Sequence, residues 1–154
     1  MDMVQILKPE AVKVFGKVSS KKRLLHDVAD IASDIYGLCP ETAVAALQDR
    51  ETLGSTSVGN GIALPHARLP QLEHVVGVFL RLETPLDFDA ADRQPIDLVF
   101  GLFAPEESGV DHLKALALVA RSLRDSALCA KLRANADPVL LHTILTETQS
   151  SKAA

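Results

Sequence analysis

The sequence has no tryptophan and a single tyrosine, Tyr36, and aromatic residues make up only 4% of its 154 positions. Its interior must therefore be aliphatic, built from leucine, valine, isoleucine and alanine. Cysteine is equally scarce, with only Cys39 and Cys129. Two are too few for the disulfide framework of a small secreted domain, and they show no metal-ligand spacing. Both are read as packing residues. No apolar run reaches the roughly 18 residues of a membrane-crossing helix. The first residues, Met1-Asp2-Met3-Val4, carry neither the basic nor the apolar stretch of a secretion signal. The cytoplasm is the expected compartment. Positive charge is also in short supply: 16 lysines and arginines against 20 carboxylates give a net charge of −4. That excludes bulk nucleic-acid binding, which needs a basic face. Any bound anion must be held by a few placed donors, and a protein partner with a basic patch stays compatible.

What is present is an ordinary hydrophobic content in a chain that fits one domain, 1–154, with its core between about 6 and 148. A domain of this size buries roughly 70% of its unfolded surface. Val12 to Val18 reads as a first strand. From Ser20 the period changes: Leu24, Leu25, Val28, Ile31, Ala32 and Ile35 form one apolar helical stripe, capped by Ser19 or Ser20 and stopped at Gly37. Pro40 opens a second helix with Val44, Leu47 and Leu53 on its stripe. Residues from Leu53 to Gly61 are loop chemistry, and Ile62-Ala63-Leu64 is a short extended run ending at Pro65.

Val75 to Leu82 and Pro95 to Phe103 are nearly continuous apolar runs, as expected of central strands covered on both faces. Thr84 to Gln94 reads as an exposed connection. Asp111 is expected to cap a helix carrying Leu113, Leu116, Ala117, Ala120 and Leu123. Shorter helices start near Asp125 or Ser126 and at Asp137-Pro138. Gln149 to Ala154 reads as a frayed tail. Helices and strands mix without strict alternation, so the fold class is α/β, a mixed central β-sheet sandwiched by α-helices.

The informative stretch runs from Arg50 to His66. Its loop, Gly54-Ser55-Thr56-Ser57-Val58-Gly59-Asn60-Gly61, lets backbone N–H groups approach an anion, with hydroxyls as further donors. Pro65 stiffens the approach to His66. The Lys-Ser/Thr ending of a nucleotide phosphate loop is missing, which argues against ATP as a donor. Histidine suits reversible phosphoryl transfer, because one ring nitrogen is an unprotonated nucleophile near neutral pH. Developing charge would need preplaced donors, for which His112 and Arg50 are the candidates. His112 follows Asp111 in the first turn of a helix, where free N–H groups and the dipole favour an anion. Alone, each of these residues has an ordinary explanation: a surface histidine, a solvated first-turn residue, a cation at a helix C-terminus. His26, His74 and His142 have no companion motif.

Together, Arg50 through His66 and Asp111-His112-Leu113-Lys114-Ala115-Leu116-Ala117 resemble the type 2 IIA domain of the bacterial phosphotransferase system. The Gly-x-Gly-Ile-Ala-x-Pro-His signature is specific. Leu82 to Asp89, with Gln94 to Phe100, is similar to the nitrogen-regulatory (IIA-Ntr) branch of this fructose and mannitol IIA family. The resemblance implies a mannitol/fructose-type IIA fold. It implies that His66 is phosphorylated on Nε2, the tele position, with His112 and Arg50 as active-site partners and Ser55 and Thr56 as the phosphate-binding loop pair. It implies no cofactor and no metal. The partners implied are an HPr-like phosphocarrier (NPr) as donor and regulatory proteins read by phosphorylation state; the alternative is a sugar-type component passing phosphate to a IIB cysteine. Ser57 stands where nitrogen-branch sequences have glycine, and would be strained if that position required positive φ. A metal hydrolase built on His66 and His112 is rejected, because no His-x-His or His-Glu-x-x-His spacing exists.

Overall fold

The computed structural model describes residues 1–107 and 109–153, with side chains to residue 147. In chain order the elements are α1 (Met3–Ile6), a 3-10 turn (Pro9–Ala11), β1 (Val12–Phe15), α2 (Lys21–Tyr36), α3 (Pro40–Thr52), β2 (Ser57–Gly59), β3 (Ile62–Ala63), β4 (His66–Leu69), β5 (Val76–Leu86), β6 (Ile96–Pro105), α4 (Val110–Leu123), α5 (Ser126–Arg133) and α6 (Pro138–Ala153). The tail expected from Gln149 falls where side chains lie outside the described residues; the backbone there continues α6 to Ala153.

The strands form one sheet in the order β1-β5-β6-β3-β2, and β4 also pairs with β6. β1 runs parallel to β5, β5 antiparallel to β6, and both β3 and β4 parallel to β6. The sheet is therefore mixed, as the sequence pattern predicts. β5 and β6 are its centre, and their apolar runs are buried through Val78–Leu80 and Leu98–Ala104. Each large apolar side chain buried there is worth about 1.5–3 kcal/mol. Phe79 and Phe100, fully buried, meet in a tilted pair at 6.3 Å between ring centroids.

Two glycines show that helices cover both faces. A Cβ on Gly101 would lie 2.5 Å from Val28 Cγ1 of α2, and a Cβ on Gly77 would lie 2.9 Å from Ile6 Cγ2 of α1. Gly77 pairs with Leu102 and Val78 with Gly101, so the two glycines point to opposite faces.

Local signals place most helices. Ser20 Oγ accepts the Arg23 N–H at 3.0 Å, and Gly37 ends α2 at φ 74°. Pro40 is the first residue of α3, and Asp125 caps α5 through the N–H groups of Ala127 and Leu128. Other expectations need correction. Met3–Ile6 is a helix closed by an Asp2–Gln5 capping box, with Met3 and Ile6 buried. β1 stops at Phe15. β5 runs on to Leu86, and Leu86 and Phe88 are buried, so the segment after Thr84 is not simply an exposed connection. Leu53 lies beyond α3 and is 83% exposed. The cap of α4 is Gly109, at φ 55°, and Asp111 lies inside the first turn without capping it. Among the described residues no helix is long and apolar enough to cross a membrane.

Candidate functional site

β3 and β4 are two pieces of one path along β6. Ile62 pairs with Leu98 and His66 with Leu102, so the register is the same on both sides of the Leu64-Pro65 interruption. Pro65 has no N–H to give, but its carbonyl still accepts the Leu102 N–H at 2.9 Å. The strand expected to end at Pro65 therefore resumes directly as β4, with His66 as its first residue.

Nδ1 of His66 lies 2.8 Å from the carbonyl oxygen of Leu64. A carbonyl only accepts, so the proton of the neutral ring sits on Nδ1, and Nε2 is left with its lone pair. Burial pushes the His66 pKa below the ordinary 6.5; the Leu64 bond opposes this, Arg50 adds to it, and Glu51 opposes it. The ring is neutral, with one defined basic nitrogen, throughout the neutral range.

The partners come from distant parts of the chain. His112, in the first turn of α4, brings its ring to 5.6 Å from that of His66, centroid to centroid, at 47°. It is buried, at 6% exposure, rather than a solvated first-turn residue. Its Nδ1 is the only buried side-chain nitrogen or oxygen without a hydrogen-bond partner among the described residues. Burial first, then the neighbouring His66 and Arg68, hold its pKa below the ordinary value. Arg50, on the last turn of α3, spends one N–H on the Gly54 carbonyl at 3.0 Å. A pocket of about 460 Å³ is lined by Ala46, Asp49, Arg50, Leu53, His66, Ala67, Arg68 and His112. The structure thus gathers His66, His112 and Arg50 around one opening.

Ser55 and Thr56 are placed differently. Neither lines that pocket. Ser55 Oγ is bonded to Ser57 Oγ at 3.0 Å and accepts the Ser57 N–H at 3.2 Å. Thr56 is buried, and both its N–H and its hydroxyl donate to Glu51. Their hydroxyls brace the loop. Ser57 is a strand residue and is not among the residues with positive φ, so the glycine-to-serine difference carries no backbone strain. The positive-φ positions of the loop are Gly54, Gly59, Asn60 and Gly61, and the last two form a two-residue hairpin turn between β2 and β3. Arg133 anchors that turn, donating to the Asn60 carbonyl at 2.7 Å while its guanidinium grips Asp97.

The family described as phosphoenolpyruvate-dependent sugar phosphotransferase system, EIIA 2, matches residues 5–148. The chain belongs to this family. Within it, the chain is 46% identical over 145 residues to the nitrogen regulatory protein of Bradyrhizobium diazoefficiens, covering 94% of this chain and 95% of that one. Its fold agrees with the crystal structure of nitrogen regulatory protein IIA-Ntr from Neisseria meningitidis at a TM-score of 0.84 and 32% identity, covering 92% and 97% of the two chains. The IIA mannitol structure from Escherichia coli shares the fold at a TM-score of 0.69 and 23% identity, covering 84% and 94%. The recognition of a type 2 IIA protein of the nitrogen branch, with a mannitol/fructose-type IIA fold, therefore holds.

For a type 2 IIA protein, the sequence reading missed two residues of this region. Arg68 lies two residues beyond His66 on β4 and so shares its side of the strand. Glu51, beside Arg50, ties the loop to α3. Period-two spacing would have flagged Arg68 had residues 66–69 been read as a strand. Nothing local marks Glu51, whose partners lie on another helix and in the loop.

Proposed function

We propose that this IIA protein takes a phosphoryl group onto Nε2 of His66 from an HPr-like carrier of the nitrogen branch, NPr, in the cytoplasm, and that bare and phosphorylated forms bind regulatory proteins differently. One observation carries the reading: the 2.8 Å bond from Nδ1 to the Leu64 carbonyl leaves Nε2 as the basic nitrogen beside the pocket. The lone pair of Nε2 attacks phosphorus as the bond from phosphorus to the carrier's nitrogen breaks, and that nitrogen recovers its electron pair. Nδ1 keeps its proton and its carbonyl partner, so no proton need move within His66.

The charge on the transferring group meets the Arg50 guanidinium, the His112 ring and the first turn of α4. Arg50 has N–H groups to spare after its bond to Gly54. Leu53, 83% exposed, lines the opening and offers an apolar contact to a docking carrier. Once seated, the group adds up to about two negative charges to that opening, enough to create or abolish a protein contact.

Incubation with phosphoenolpyruvate, Enzyme I and the carrier is expected to add roughly 80 Da, one phosphoryl group, to the intact chain. The label should be acid-labile and stable in mild base, as an N–P bond requires. His66→Ala should abolish it; full labelling of that variant, or an acid-stable label, would overturn the assignment.

A further inference from the structure

Glu51 follows Arg50 at the end of α3, yet it does not line the His66 pocket, and its side chain is only 6% exposed. A carboxylate so far out of water needs strong partners. Its Oε1 pairs with Lys21 Nζ at 2.9 Å and accepts the Thr56 N–H at 3.2 Å, while Oε2 accepts the Thr56 hydroxyl. Lys21 is itself held: it opens α2 directly after the cap Ser20, and its ammonium sits 4.4 Å from the ring centroid of the buried Phe88. One carboxylate thus joins the start of α2, the end of α3 and the loop.

The contact continues towards the site. The Thr56 carbonyl accepts the Leu64 N–H at 3.0 Å, and the Leu64 carbonyl accepts Nδ1–H of His66 at 2.8 Å. Glu51, Thr56, Leu64 and His66 form an unbroken hydrogen-bonded chain. Pro65, inside it, has a fixed φ and leaves little slack. The charge of Glu51 also reaches the ring, opposing the effect of Arg50 on its protonation.

We infer that Glu51, clamped by Lys21, is a positioning residue that fixes the His66 imidazole in its Nδ1–H form through Thr56 and the Leu64 carbonyl. Its consequence for transfer rests on the reading of His66 as the acceptor; its consequence for the ring does not. A ring freed from the Leu64 carbonyl gains access to the Nε2–H form, in which the nitrogen facing the pocket has no lone pair to give.

Long-range proton–nitrogen spectra of the imidazoles in the full chain, above the His66 titration, read the tautomer without any phosphoryl donor. Wild type is expected in the Nδ1–H form. In Glu51→Gln and Thr56→Val the share of the Nε2–H form should rise at least about fivefold, and transfer from the carrier should slow by about tenfold in kcat with KM within about twofold. Loosening the Leu64 bond should lower the His66 titration midpoint in both variants, and Glu51→Gln, which also removes a charge, should lower it further than Thr56→Val. An unchanged tautomer in variants with wild-type amide spectra would overturn the inference. Should Glu51→Gln fail to fold, Thr56→Val and Lys21→Met carry the same readout. A shifted tautomer in a protein whose wild type takes no label on His66 would uphold the positioning role and sink the acceptor reading.

Discussion

The rings of His66 and His112 lie 5.6 Å apart, but only His66 has its Nδ1 satisfied. The pair is asymmetric in its hydrogen bonding for that reason. One ring is held in a single tautomer by a backbone carbonyl; the other keeps a buried nitrogen without a hydrogen-bond partner. Neither is easily charged, since burial opposes protonation of both and the His66 ring further disfavours it at His112. A buried polar atom with no partner costs about 1–3 kcal/mol.

Replacing His112 with leucine removes that unpaired nitrogen at similar volume. The variant is expected to be more stable than wild type by roughly 1 kcal/mol. Transfer to His66 should slow by about 10–100-fold, with the chain still phosphorylatable. Thermal unfolding and single-turnover labelling read the two effects separately. A lower melting temperature would contradict the unpaired state of Nδ1, and complete loss of labelling in a folded variant would make His112 the acceptor.

The two lowered imidazole pKa values set a pH dependence with a definite sign. Well above the ordinary 6.5 both rings are neutral whether the chain is folded or not, and they contribute nothing to the pH slope. Below it, the unfolded chain binds protons that the folded one resists, so stability falls with falling pH and levels off only once the folded rings titrate. Urea midpoints between about pH 7.5 and about pH 5.5 should show this fall, and the double variant His66→Ala, His112→Ala should flatten it. Phosphoryl acceptance by wild type should fall off at a lower pH than the titration of an ordinary imidazole would set. A slope unchanged in the double variant would assign the effect to other groups.

Arg50 and Arg68 should separate chemistry from docking. Arg50 combines a bond to the Gly54 carbonyl with a place on the pocket wall. Arg50→Lys keeps the charge but lacks the planar fork that serves both, and is expected to transfer about tenfold more slowly, with Arg50→Gln slower again. Arg68 is exposed and makes a 3.5 Å contact to the Glu106 carbonyl. Arg68→Gln should act mainly on KM, by about two- to fivefold, and the effect should shrink as salt rises. Equal kcat losses for both would refute the division.

Gly101 is required by the approach of α2 to the sheet. Its missing Cβ would meet Val28 Cγ1 at 2.5 Å, so Gly101→Ala should cost about 1–3 kcal/mol. Val28→Ala loses methyls of its own but makes room. Denaturant unfolding of the double variant should therefore show less destabilisation than the sum of the singles. Strict additivity would mean that the two side chains do not meet.

The parts of the structure set by neighbours in the chain were legible in advance. Ser20 and Gly37 bound α2, Pro40 and Asp125 open α3 and α5, and the apolar runs of β5 and β6 mark the centre of the sheet, because caps, turns and burial patterns are local chemistry. β2 and β4 escaped notice for the opposite reason. Three or four residues carry too little periodicity, and only pairing with β3 or β6 makes them strands. Asp111 looked like a cap, but the chain enters α4 through Gly109 in a backbone conformation open to glycine, one residue ahead of the first helical turn.

The site divides in the same way. The sequence alone determined which residues could do this chemistry: a histidine after a proline, a glycine-bearing loop before it, a second histidine at a helix start and an arginine at a helix end. Tertiary structure decided what each of them touches. It buried His112, turned the hydroxyls of Ser55 and Thr56 into loop braces, and put the proton of His66 on Nδ1. Burial and the identity of a hydrogen-bond partner depend on which distant segments arrive beside a residue, and the end of α3, β4 and α4 reach this pocket from separate parts of the chain.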